Sequence, residues 1–230
     1  MKNQTLLDKI CGLIPGKVDD KILLELYDLL QKAEHVFKKD HPSTIPENTH
    51  AFRKHSLDIR KARGYVEDQH RYQDMRYGAT TMKHAGCEIF AVYNALYTLH
   101  GTHRIPLPHM IHDFEKEGMV LSGRFGTSPK SLLSYLNKQG YKTEMVIDQK
   151  LFDSMGDRYT SLILTMYNNA EDIRDEIHTV HITHDEKGFT AHNVYCNGTV
   201  VGPAPSVSAL IHSFNHGKSR GICLIGIKKP

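Results

Sequence analysis

Apolar positions follow one period in the first half of this chain and another in the second. In residues 4–39, Val18, Ile22, Leu26, Leu29 and Leu30 recur at helical spacing, and Asp19 and Asp20 fall where a first turn favours negative charge. The pattern predicts a helix there, with Pro15 and Gly16 separating it from a shorter one before it. Pro42 and Pro46 mark residues 40–50 as a loop. Residues 50–76 mix Arg53, Lys54, Arg60, Lys61, Arg63 and Arg71 with Asp58, Glu67 and Asp68, which reads as a solvated helical surface or connecting arm.

The pattern changes after Tyr77 and Gly78. Over residues 87–99, Ile89, Phe90, Val92, Ala95, Leu96 and Leu99 cover most of a helix circumference, so this helix is predicted to be buried all round. A second helix is expected over 107–117, after Pro106. A third has Thr127 or Ser128 as N-cap, Pro129 in the first turn, Leu132, Leu133 and Leu136 on one face, and Gly140 at its end.

Strands then take over. Residues 161–167 form a short apolar run suited to a central strand, and 177–183 and 189–196 flank a turn at Asp185, Glu186, Lys187 and Gly188. Asn197 and Gly198 signal a second tight turn, leading into Thr199, Val200 and Val201. A helix over 206–214 and a strand over 221–227 complete the order. Helices followed by an antiparallel sheet make an α+β fold: an N-terminal helical extension, 1–75, and one domain, 76–230.

Composition narrows the function classes. With 230 residues, 40% apolar and 24% charged, the chain has enough apolar sequence for one sizeable core. Its net charge of +3 is too small, and its basic residues too interspersed with acidic ones, to imply nucleic acid as a partner. Charge interrupts the first apolar run after Leu6 and Leu7, so no signal peptide is expected. No stretch is long enough for a membrane helix, so no membrane partner is expected either. The cysteines, Cys11, Cys87, Cys196 and Cys223, are scattered without a CxxC pair, which suggests free thiols in a reducing cytoplasm. His178, His181 and His184 are spaced by three on a strand, so successive ones face opposite sides. With no HExxH present, no metal or other cofactor is expected.

Cys87 is the residue on which chemistry would turn. It opens the buried helix, after the small residues Ala85 and Gly86, where the helix dipole and unpaired backbone amides favour thiolate and would stabilise an oxyanion beside it. A base is available in His178, at the start of the strand after the central one, with Asn193 on the returning strand of the same hairpin. If Glu186 and Lys187 form the tip, residues 178 and 193 share a face, and His181 and His192 share the other as the reserve pair.

Glycine and cysteine opening a buried helix, a helical middle, an apolar strand, then histidine and a hairpin ending in asparagine: this order resembles the papain-like cysteine peptidase superfamily, most closely its bacterial C39-like branch, over residues 76–230. The resemblance implies a nucleophile-bearing helix packed on an antiparallel sheet that carries the histidine, with a cleft between them. It implies Cys87 as nucleophile, His178 as general base and Asn193 as the residue orienting the imidazole. The family's oxyanion glutamine, six or seven residues before the cysteine, is replaced by Thr80 and Thr81, which become the candidate oxyanion donors. Glu88 follows the cysteine where the family has glycine or a tryptophan-like residue, and its charge would raise the thiol pKa against the dipole.

The expected function is a cytoplasmic thiol hydrolase cleaving a peptide or amide bond. Two alternatives stand beside it: an inactive domain of the same fold that binds a peptide or small ligand, and an acyltransferase using the same thiol. Residues 122–128 read as an N-cap loop that lines the cleft. For residues 1–75, capping the cleft, forming a homo-oligomer and extending the core all remain open, and the lack of a cleavage or targeting signal favours the last.

Overall fold

The computed structural model describes residues 19–37, 43–169, 177–195 and 197–230. Cys11, Cys196, Val18 and the short helix expected before Pro15 lie outside them. Eight helices are found among the described residues: α1 (Asp20–Phe37), α2 (Ile45–Lys61), α3 (Met82–Ala85), α4 (Cys87–His100), α5 (Leu107–Glu117), α6 (Pro129–Lys138), α7 (Phe152–Gly156) and α8 (Val207–Ser213). None is long and apolar enough to cross a membrane. The strands are β1 (Arg76–Tyr77), β2 (Thr80–Thr81), β3 (Lys142–Val146), β4 (Ser161–Tyr167), β5 (Ile177–Asp185), β6 (Gly188–His192), β7 (Val201–Ala204) and β8 (Arg220–Lys228).

β1 and β2 make a small ribbon. The other six strands form one antiparallel sheet in the order β3-β8-β4-β5-β6-β7. β4 is central and every one of its residues is buried, as a short uninterrupted apolar run requires. The expected hairpin forms with Asp185 opposite Gly188, so Glu186 and Lys187 are its tip, and His181 faces His192.

The sheet's two faces bury different partners. Ile163 and Ile225 meet α4 and its neighbours in one core, which includes Phe90, Val92, Leu96, Ile111 and Leu132. Leu162, Leu164, Val180 and Ile182 meet α7 and α8 through Phe152, Val207 and Leu210. In α4, eleven of fourteen residues are buried, and Gly101 ends it in a left-handed conformation at φ 69°.

Four local expectations need correction. In α1 the exposed apolar residues are Ile22 and Leu29, whereas Leu23, Leu24 and Tyr27 are buried against Tyr167, Ile222 and Cys223, so the packed stripe is offset from the one the spacing suggested. The loop expected over 40–50 gives way to helix from Ile45, because a proline in the first turn costs no hydrogen bond. The charged stretch 50–76 is not merely a solvated arm: α2 buries Ala51, His55 and Ile59, and Val66, Tyr72 and Met75 join the core of α4. Most of its charges stay outside, Glu67 excepted, while Ala51, Ile59, Val66, Tyr72 and Met75 point inward and Leu57 stays exposed. β6 ends at His192, short of the expected 196.

Candidate active site

Gly86 separates α3 from α4. A Cβ there would lie 2.5 Å from the carbonyl of Met82, so only glycine lets the short helix run directly into the long one. Cys87 follows as the first residue of α4 and is 7% exposed. Its thiol donates to Glu88 Oε2 at 3.2 Å. Burial first, then the Glu88 charge and that hydrogen bond, push the thiol well above its ordinary pKa. The backbone amides of Thr179 and Glu88 pull it the other way.

Glu88 is also buried, and desolvation raises it to about 7 against the backbone amides of Glu88 and Thr127 and the thiol. Its carboxylate lies against Gly126, where a Cβ would come within 3.0 Å of Oε1 and where φ is +68°. The loop 122–128 therefore does touch the cysteine's neighbourhood, through Glu88.

Thr179 brings β5 to the sulfur. β6 pairs with β5 only from His181 onward, so the Thr179 amide lies on a stretch of strand edge that β6 does not cover. The residue before it is His178, whose Nε2 donates to the backbone carbonyl of Asn193 at 2.7 Å. That bond fixes the neutral tautomer with its lone pair on Nδ1. Strand alternation sets His178 with Val180 and Ile182, on the face away from Thr179 and His181.

Asn193 acts differently from the expectation. It has a left-handed backbone, φ 60°, just past the end of β6, and holds the imidazole with its carbonyl rather than its side-chain amide. The side chain is engaged elsewhere: Oδ1 accepts from the Gln69 amide at 3.0 Å, and Nδ2 donates to Gln69 Oε1 at 3.0 Å. Gln69 Nε2 donates in turn to the carbonyl of Lys83 in α3, directly before Cys87. The Asn193 amide donates to Glu67 Oε2 at 3.0 Å. Gln69 thus ties the hairpin end to α3, and Glu67 grips the same hairpin end beside it. Both lie in the charged stretch, and the one sequence signal for them is the apolar pair Tyr65 and Val66 just before Glu67.

Thr80 and Thr81 form β2, opposite Tyr77 and Arg76. The hydroxyl of Thr81 is buried without a hydrogen-bond partner among the described residues. His181 sits at the other end of α4. Its Nε2 lies 3.1 Å from Ser161 Oγ and 3.4 Å from Thr98 Oγ1, and Thr98 is eleven residues beyond Cys87, about 16 Å along a helix. Burial, then the nearby His192, hold its pKa well below the usual value. The reserve base is therefore displaced from the thiol and disfavours a proton.

No protein-family model, curated protein or solved structure matches this chain. Its chemistry has to be read from the groups themselves.

Proposed function

We propose that the chain is an intracellular thiol hydrolase of papain-like, C39-like type, acting on a peptide or other amide through Cys87, His178 and Asn193. One observation carries the reading: contacts run from Cys87 to Thr179, the residue after His178, from His178 to Asn193, and through Gln69 to Lys83 in the short helix that leads to the cysteine. Glu88 and the Thr179 amide touch the sulfur directly, and His178 and Asn193 join the set one step further along the hairpin. Cys87 and Cys223 are unpaired thiols, as a reducing compartment would leave them.

In this reading the Cys87 proton reaches Nδ1 of His178 around the uncovered edge of β5, since the two side chains lie on opposite faces of that strand, and the Asn193 carbonyl stabilises the resulting imidazolium through Nε2–H. The thiolate sulfur bonds to the substrate carbonyl carbon. The C–N bond breaks, and the amine leaves with the proton from His178. Water then attacks the thioester, gives its proton to His178, and the acid departs as Cys87 recovers its S–H. The amides at the start of α4 face the developing oxyanion, with the Thr81 hydroxyl as a further donor.

The test is timed alkylation by iodoacetamide from pH 5 to 9, read cysteine by cysteine by mass spectrometry, alongside hydrolysis of a peptide-amide library. Fast labelling of Cys87 with amide cleavage supports the proposal. Labelling no faster than that of Cys11 or Cys223 at every pH overturns it. A second reading, a binding domain without turnover, is favoured by the burial of Sγ beside Glu88, and that same slow labelling is its signature. Product analysis with and without an amine acceptor separates hydrolysis from acyl transfer.

A further inference from the structure

A cavity of about 810 Å³ lies between the end of α2, residues 62–72 and the turn at Asn197 and Gly198. Neither Cys87 nor His178 lines it. Its inner wall is a buried pair: His192 Nδ1 meets Glu67 Oε1 at 2.7 Å, with both side chains about nine-tenths covered. The Tyr65 ring stacks on His192 at 4.1 Å between centroids. Its volume falls in the range of small-molecule sites, and its walls combine the Tyr65 and Tyr72 rings with a largely charged lining.

The charges around this cavity are not all matched. Asp58 pairs with Arg71 at 2.7 Å and Glu67 is held by His192 and the Asn193 amide, while Asp68 takes only the His70 amide among the described residues and keeps its charge. Lys61 and Arg63 also line the cavity and take part in no ion pair among the described residues. The C-terminus of α2 offsets only about half an elementary charge there.

Arg63 is further marked by its backbone. α2 ends in a turn in which the Gly64 amide donates to Ile59 and the Arg63 amide to Arg60. The left-handed position of that turn, usually glycine, is occupied by Arg63 at φ 54°. Such a conformation costs about 1 kcal/mol in a residue with a Cβ, and strain of this kind gathers at ligand sites.

We propose that this cavity binds a small organic anion, a phosphate or carboxylate borne on a ring, with Lys61 and Arg63 holding the anion and the Tyr65–His192 stack meeting its body. The site stands independently of the thiol chemistry. It abuts the hairpin end through Glu67, which binds both His192 and the Asn193 amide.

Calorimetric titration of the full chain with inorganic phosphate, adenosine monophosphate, succinate and 4-hydroxybenzoate tests the site. The expected result is one-to-one binding of a ringed probe with a Kd of about 1 mM or tighter, stronger than its bare counterpart. The K61A/R63A protein, with an unchanged circular dichroism spectrum, should bind about tenfold or more weakly. Cys87→Ala should bind as the unaltered protein does, which separates this site from the proposed hydrolase. The proposal is overturned if no probe binds, if K61A/R63A binds equally well, or if bare phosphate and succinate match the ringed probes, which would mean a surface ion site only.

Discussion

Two histidines three residues apart on β5 live in opposite circumstances. His181 is fully covered beneath α4, bonded through Nε2 to neutral hydroxyls, and its Nδ1 is buried without a partner among the described residues. His178 is half-buried near the strand's start, with Nε2 on a backbone carbonyl that would stabilise a positive ring. An imidazole earns the role of base from what its second nitrogen binds and from whether charge is tolerated, not from its place in a motif. His181 is held neutral by burial, whereas His178 donates Nε2–H to a backbone carbonyl.

The most damaging way to break this contrast is at its chemical end. Cys87→Ala should abolish amide cleavage, and His178→Ala should lower it by about 10²–10⁴-fold, while His181→Leu leaves it within a few-fold. Steady-state hydrolysis of one identified substrate by the three variants checks the ranking. A His181→Leu enzyme as inactive as His178→Ala would contradict it.

Glu88 sharpens the comparison from the sulfur's side. Its carboxyl is raised to about 7 by burial, above the usual 4.5 of an unfolded chain, so the folded state holds its proton longer. Stability should therefore be greatest below about pH 4.5 as far as this group is concerned, and be lost as pH rises through about 7. Glu88→Gln should remove that loss and gain roughly 2–3 kcal/mol over the unaltered protein at pH 8, with no gain at pH 4.5, measured by urea denaturation. The same variant should alkylate about tenfold faster at Cys87 at pH 8, since the negative charge that raises the thiol is gone.

Gln69→Ala would leave Asn193 Nδ2 and the Lys83 carbonyl without their partner, at a cost of roughly 2 kcal/mol. Its distinctive sign would be faster amide exchange at Asn193 and in α3 together. The smallest effect belongs to His181→Leu. Replacing a ring that already carries an unpartnered nitrogen should change stability by about 1 kcal/mol or less, and thermal unfolding would register a larger loss as a failure of this account.

The sequence pattern carried the regular elements well where one period dominated. Strand β4, the hairpin tip at Glu186 and Lys187, helix α6 behind Pro129 and buried helix α4 all follow from apolar spacing and turn chemistry. β3 and α7, between residues 142 and 156, were not foreseen, because their short stretches are largely polar and take their place from pairing with β8 and packing on Val207. The site was legible as residue types but not as bonds. Asn193 offers its carbonyl because the chain turns left-handed there, and its amide belongs to Gln69, 124 residues away. No local pattern encodes such a partner, since it depends on where a charged stretch happens to dip its apolar residues into the core.

Arg220 grips Asp20 with both guanidinium nitrogens, at 2.7 and 2.8 Å, across 200 positions of chain. Helix α1 thus has a berth on the final strand of the sheet, where Ile222 and Cys223 complete a cover for Leu23, Leu24 and Tyr27 that Val120, Phe125 and Tyr167 begin. During synthesis the greasy side of this helix waits first for Val120 and Phe125, and its clasp at Arg220 waits for nearly the whole chain to follow.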